Sequence, residues 1–300
     1  MLHVRRFFNL NYQFMNVLSL FDGMSCGQIA LNKVGIKYEN YFVSEIKKHA
    51  IETTQINYPN TIQLGDVTKI KASDLPKIDL LIGGSPCQDF SSQNSNRTGL
   101  KGVKSNLFFE YLRLLIECEP KYFLLENVIM LPEHFAALSN YLQIYPVEIN
   151  GSLVSAANRR RLFWTNIKYR NDLFGFKRTD IPQPKDKKIY LQDILTDGYT
   201  DLKKANNLTL SNGFVISETD HEKNEMNIIK RVKKQFDNVV YKSPDFDVRK
   251  GIRFFNKIEL ERLHNIPENY TQNLTVKKAH DLIGDGWTVD VIAHILGFIQ

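Results

Sequence analysis

The sequence predicts an α/β protein: a doubly wound, mostly parallel sheet carrying a small additional module. Three observations lead there. Apolar runs of strand length recur through the first half, at Asn16–Phe21, Tyr41–Ser44, Leu80–Ile82 and Tyr122–Leu125. Each run stops at a glycine or a carboxylate, and helix-like segments separate them. Near-continuous apolar strands alternating with helices are what a parallel sheet covered on both faces requires. Such sheets bind ligands beyond the carboxyl ends of their strands, so the residues at these ends form the candidate site.

The first run passes into Asp22-Gly23-Met24-Ser25-Cys26-Gly27-Gln28 and then a helix opening at Ile29-Ala30-Leu31. A strand, a glycine-containing turn and a helix in that order receive a nucleoside-bearing cofactor. The spacing is not GxGxxG, so a dinucleotide is not favoured. The second run ends on Glu45, about 20 residues past the turn, where a carboxylate can accept hydrogen bonds from ribose hydroxyls. A helix follows through Asn57. Ile62–Val67 reads as a third short strand, with Asp66 either at the ligand edge or capping the next turn.

Leu80-Leu81-Ile82 stops at Gly83-Gly84-Ser85-Pro86-Cys87-Gln88. The glycines allow backbone angles closed to other residues, and Pro86 fixes a torsion beside the thiol. Cys87 is read as a nucleophile. Gln93 to Lys104, rich in Ser, Asn, Gly and Lys, reads as a mobile loop beside it. Asn106–Glu117 has helical spacing, with Leu107, Tyr111, Leu114 and Leu115 on one face. Tyr122–Leu125 ends on Glu126-Asn127-Val128, which puts Glu126 on the same sheet edge as Glu45 and Cys87.

Arg159-Arg160-Arg161 precede another apolar run, Leu162–Thr165. A period of two places Arg159 and Arg161 on one face and Arg160 on the other. From residue 168 to about 252 the chain reads as irregular and partly β. Lys257–Leu263 and Trp287–Leu296 read as closing helices.

Composition narrows the function classes. A chain of 300 residues supports one large domain, or one large and one small. No apolar run approaches the roughly 20 residues that cross a bilayer. Met1 to Phe14 lacks the apolar core of a signal peptide, and reads as an extension upstream of Met15. Cys26, Cys87 and Cys118 form no CxxC pair, which argues against a zinc site or a disulfide framework and for a reducing compartment. The net charge is +6, and residues 151–190 alone hold 10 Lys and Arg against 3 Asp and Glu. That excess is either a solvated face or an electrostatic footprint for a polyanion.

With these residues in order, the sequence resembles the C5-cytosine-specific DNA methyltransferases, in particular the compact phage and bacterial enzymes and the mammalian de novo catalytic domain. Phe21–Gly27 resembles the first motif, Ser44-Glu45 the second and Gly65-Asp66-Val67 the third. Gly83–Gln88 matches the catalytic motif, and Glu126-Asn127-Val128 the acidic one. Arg159-Arg160-Arg161 falls on Gln-x-Arg-x-Arg, with Ala157 in place of the Gln. Glu259–Tyr270 and Gly284–Val289 resemble the last two motifs, with Asp285 where Asn or Arg is usual. The tRNA-directed relatives carry Pro-Pro-Cys and a Cys-Phe-Thr signature, and neither occurs here. A regulatory homologue would lack the nucleophile or the cofactor loop, and both are present.

The resemblance implies a Rossmann-like S-adenosyl-L-methionine-dependent fold. It divides the chain into a catalytic part at 1–167, a target-recognition module at 168–255 and a return segment at 256–300. Phe21, Asp22, Gly23, Ser25, Cys26, Gly27, Glu45, Ile46, Asp66, Val67, Pro86 and Trp287 would bind the cofactor. Cys87 would attack carbon 6 of a flipped-out cytosine in double-stranded DNA, and Glu126 would serve ring nitrogen 3. Arg159 and Arg161 would hold the base carbonyl and a phosphate and favour the thiolate. No metal is implied. A cytoplasmic monomer, with a cognate restriction endonuclease as candidate partner, completes the expectation.

Overall fold

The computed structural model describes residues 14–86, 106–198, 200, 202–205, 240–241, 252–253 and 255–300. Its centre is a seven-stranded sheet of β1 (Met15–Leu20), β2 (Tyr38–Ser44), β3 (Ile62–Gln63), β4 (Leu80–Gly84), β5 (Tyr122–Val128), β6 (Val147–Asn150) and β7 (Arg160–Thr165). The strands lie in the order β3-β2-β1-β4-β5-β7-β6. Neighbours from β3 to β5 are parallel, and only β7 is reversed, antiparallel to β5 and β6. The chain winds outward on one side from β1 to β3 and on the other from β4 onward. The crevice between β1 and β4 is therefore the topological switch point where such folds bind ligands.

The helices are α1 (Cys26–Val34), α2 (Lys48–Asn57), α3 (Asn106–Cys118), α4 (Pro132–Leu142), the single turn α5 (Leu191–Ile194), α6 (Lys257–Leu263), α7 (Val276–Asp285) and α8 (Val289–Leu296). Alternation along the strands splits the apolar side chains between two layers. Val17, Leu80, Ile82 and Leu124 pack with Ile29, Leu31, Ile292 and Ile295 of α1 and α8. Leu18, Leu20, Leu81 and Leu125 pack instead with Phe108, Tyr111 and Leu114 of α3 and Leu138 of α4. Each fully buried Leu or Ile in these layers contributes about 1.5–3 kcal/mol of apolar burial. The return segment is thus part of the core, with α1 and α8 in direct contact.

α6 starts where a reciprocal cap fixes it. Asn256 Oδ1 accepts from the Glu259 backbone N–H at 3.0 Å, while Glu259 Oε2 accepts from that of Asn256 at 2.9 Å. Glu259 Oε1 also accepts from the Thr196 backbone N–H at 2.8 Å, tying α6 to the segment that follows α5.

Three expectations change. The third strand is only Ile62–Gln63, because Gly65 adopts φ +76° and turns the chain. Asp66 then caps a short 3-10 turn, accepting from the Thr68 backbone N–H at 3.0 Å. The final helix begins at Val289, which leaves Trp287 in the preceding turn.

The third change concerns charge. β8 (Tyr169–Asn171) and β9 (Lys177–Thr179) form an antiparallel hairpin, and Arg178 bridges Tyr145, just before β6. Asn166, between β7 and β8, accepts through Oδ1 from the Phe123 backbone N–H at the start of β5. The hairpin therefore sits at the amino-terminal end of the parallel strands, away from Glu126. Its cations are engaged locally: Arg170 with Asp180 at 3.2 Å, Arg178 with Asp172 at 2.8 Å, Lys177 over the Tyr169 ring. Lys187 reaches the buried Asp290 at 2.6 Å. The basic excess of 151–190 is divided between the site edge, where Arg159 and Arg161 lie, and the opposite edge, where the hairpin lies.

Candidate active site

Parallel register brings the strand ends to one edge. Leu20 of β1 is level with Ser44 of β2 and Gly83 of β4, and Gly84 is level with Glu126 of β5. Beyond these ends lie Phe21–Gly23, Glu45, Ser85–Pro86 and Asn127, so the edge collects both halves of the predicted site.

Glu126 is 9% exposed and held through both oxygens. Arg161 Nε lies 2.8 Å from Oε1, and the Trp287 indole N–H donates to Oε2 at 3.3 Å. Arg159, also buried, donates from Nη2 to the Gly286 carbonyl at 2.8 Å. Arg160 turns outward to Glu148. The alternation expected from period two is present, with Arg159 and Arg161 lining one cavity together with Glu126, Phe163, Trp287 and Thr288. Behind the arginines, burial and then the two guanidinium charges hold His264 well below the usual imidazole range, so it is neutral. Asn127 Nδ2 donates to Ser85 Oγ at 3.0 Å and fixes the turn that leads into Pro86. Cys87 and the loop Gln93–Lys104 lie outside the described residues.

The cofactor turn is built from residues forced into left-handed backbone: Phe21 at φ +57°, Gly23 at +62° and Ser25 at +61°. Asp22 anchors it from beneath, accepting from Ser19, Ser25 and Tyr41 hydroxyls. Burial pushes the Asp22 carboxyl up to about 6 despite these donors. Glu45 Oε2 accepts from the Gly23 backbone N–H at 2.8 Å, and Oε1 from those of Ile46 and Lys47 at 2.8 and 2.9 Å. The side chains of Ser25, Cys26 and Val67 are buried, and burial pushes the Cys26 thiol up to about 12, so it is inert. Gly27 packs directly beneath Tyr41 and Ile82. Ile46 stands 75% exposed beside Glu45.

This edge fits S-adenosyl-L-methionine. A carboxylate offers about four acceptor positions, and the three backbone donors leave Glu45 one for a ribose hydroxyl. Ile46 offers an apolar surface for a base, and a Cβ at Gly23 would have no atom within 4 Å, so that face of the turn is open.

Several residues at this edge escaped the sequence reading. Asn127 and Gly286 lie within recognised motifs, yet nothing local in the sequence marks their contacts with Ser85 and Arg159. Tyr270 Oη donates to the Met24 carbonyl at 2.7 Å, joining the return segment to the cofactor turn. An Asn-Val pair after a strand-end acid and a Tyr inside a recognised motif were the available signals.

The fold is a Rossmann-like methyltransferase fold with a carboxylate, two arginines and an indole at the switch-point edge. The family model described as C-5 cytosine-specific DNA methylase matches residues 15–300, and the chain belongs to that family. It is 34% identical over 200 residues to the orphan methyltransferase M.SPRI of Bacillus phage SPR, covering 60% of this chain and 45% of that one. It is 28% identical over 301 residues to the type II methyltransferase M1.ScrFI of Lactococcus lactis subsp. cremoris, covering 92% and 75%. The chain thus spans less than half the length of the phage SPR relative. Among solved structures, Dnmt2 of S. pombe superposes with a TM-score of 0.65 at 17% identity, covering 95% of this chain and 98% of that one. A putative DNA modification methyltransferase encoded within an E. coli prophage gives 0.60 at 20%, with the same coverage. Among the described residues no helix is long and apolar enough to cross a membrane, and no His, Cys, Asp and Glu side chains cluster as metal ligands.

Proposed function

We propose that this chain transfers a methyl group from S-adenosyl-L-methionine to carbon 5 of a cytosine flipped out of double-stranded DNA, through a covalent adduct on Cys87. The observation that carries this is Glu126, anchored by Arg161 and Trp287 at the end of β5, level with the strand that leads into Cys87.

Carbon 5 of cytosine is too poor a nucleophile to take a methyl group unaided. Addition of the Cys87 thiolate at carbon 6 makes the ring enamine-like. Glu126 supplies the proton or strong hydrogen bond that nitrogen 3 demands as the S–C bond forms. When bound, S-adenosyl-L-methionine supplies the electrophilic methyl. Loss of the carbon-5 proton then expels the thiolate and restores the ring. Glu45 would hold the ribose and Ile46 the adenine, with Asp66 adding a weaker polar contact. Arg159 and Arg161 add positive charge where the base carbonyl enters, although Arg161 is also committed to Glu126. A duplex hides carbon 6, so the base must leave the stack at a cost of a few kcal/mol.

The part of 168–255 that follows the β8–β9 hairpin would read the flanking bases. A monomer acting in the cytoplasm, with or without a restriction endonuclease, accords with this reading.

The test is bisulfite sequencing of DNA from cells expressing the chain, alongside transfer of labelled methyl to DNA and to tRNA in vitro. Protected cytosines at one recurring sequence are expected. Transfer to tRNA alone, or none to either, would overturn the proposal.

A further inference from the structure

The return segment does more than close the core. Gly286 accepts from Arg159, and the next residue, Trp287, donates to Glu126. Gly286 also packs against the cofactor turn, since a Cβ there would stand 3.3 Å from the Met24 Cε. One short turn therefore touches the carboxylate, an arginine and the cofactor turn. The indole reaches Glu126 by lying across the end of β4. A Cβ on Gly84 would stand 2.9 Å from Glu126 Oε2 and 3.0 Å from Trp287 Nε1, so only a glycine at 84 lets the pair meet there.

A glutamate held at a single oxygen keeps a broad terminal torsion. Arg161 alone would fix Oε1 and leave the plane of the carboxyl group free to turn. The second donor, on the other oxygen, fixes that plane while leaving each oxygen a further lone-pair position. Misplacing a reacting group by about 1 Å costs on the order of 100-fold in rate, so orientation of this carboxyl group is worth a dedicated donor.

We propose that Trp287 is a positioning residue for Glu126, orienting the carboxyl group through its indole N–H, in addition to any contact it makes with the cofactor. The inference rests on the reading of Glu126 as the group that meets the cytosine ring.

The test is a double-mutant cycle in the full chain, following single-turnover methyl transfer to unmethylated plasmid DNA at saturating DNA and S-adenosyl-L-methionine. Trp287→Phe keeps an aromatic wall and removes the donor. It should slow transfer about 10-fold while the KM for S-adenosyl-L-methionine moves less than about 3-fold. Combined with Glu126→Gln, the same change should add less than about 2-fold, because its target is already disabled. Replacing residue 287 by β-(benzothiophen-3-yl)alanine, which keeps the bicycle and exchanges N–H for sulfur, should reproduce the loss even if Trp287→Phe folds poorly. An equal loss in both backgrounds would overturn the proposal, as would a raised KM with an unchanged saturated rate. If Glu126→Gln alone retained full rate, the catalytic reading of Glu126 would fail first.

Discussion

Arg161 and Glu126 meet across an antiparallel pair of strands without being register partners. Arg161 is level with Val128, yet its Nε reaches back to Glu126 Oε1 at 2.8 Å. Both side chains are largely buried, at 14% and 12% exposure, so the pair is shielded from solvent screening. The reversal of β7 is what makes this contact. A parallel β7 would carry its arginines at the opposite edge of the sheet.

The two halves of that pair should therefore fail differently. Arg161→Ala leaves a charge with reduced compensation and should destabilise the fold by about 2–3 kcal/mol in urea denaturation. Glu126→Gln should cost less stability and more activity, on the order of 100-fold or greater in turnover. Equal stability losses with equal activity losses would mean that Glu126 only supports the fold.

At the cofactor edge, Glu45→Ala should weaken S-adenosyl-L-methionine binding by about 1–3 kcal/mol in a calorimetric titration. Part of that loss comes from freeing the Gly23, Ile46 and Lys47 N–H groups that Glu45 now satisfies. Glu45→Gln keeps an acceptor oxygen and should lose less. Asp66→Ala should lose less again, since Asp66 already spends one oxygen on its own turn. Unchanged binding in all three would move the cofactor elsewhere.

Asp22 should make stability depend on pH. Its carboxyl is raised by burial to about 6 in the fold, against an ordinary value near 3.8. A raised acid favours the folded state fully below its unfolded value, and that advantage is lost as pH climbs through the folded value. Wild type should therefore lose about 2 kcal/mol relative to Asp22→Asn between pH 4 and pH 7, allowing for partial exposure of the turn. A gap that is flat with pH would contradict the buried-carboxyl account.

Lys187 should behave as a structural cation. It shares the buried Asp290 with Lys33, linking the segment before α5 to α8 and α1. Lys187→Gln should lower the melting temperature slightly and leave the salt dependence of DNA binding unchanged. A flatter salt slope would show that Lys187 contacts DNA phosphates instead.

The strand ends were legible because buried parallel strands read as uninterrupted apolar runs, and the acids that stop them stand out. Glu45, Glu126 and the glycine turn followed directly. β6 did not, because it is a short edge strand whose Glu148 points outward. Ile62–Val67 misled because its apolar pattern continues through Gly65, where the backbone turns. Charge misled for a different reason. A sum over 151–190 leaves out Glu126, Glu148 and Asp290, which the fold brings against Arg161, Arg160 and Lys187. The bond from Trp287 to Glu126 spans 161 positions and has no local signature at all.

The central claim is a covalent bond between Cys87 and the target base, and trapping it is the most direct measurement. Duplex DNA carrying 5-fluorocytosine in the methylated sequence cannot lose the carbon-5 substituent after transfer, so the adduct should persist through denaturing electrophoresis. The account predicts a shifted band that needs S-adenosyl-L-methionine, maps to Cys87 by mass spectrometry and vanishes in Cys87→Ser. A stable adduct on another residue, or full methyl transfer by Cys87→Ser, would contradict it.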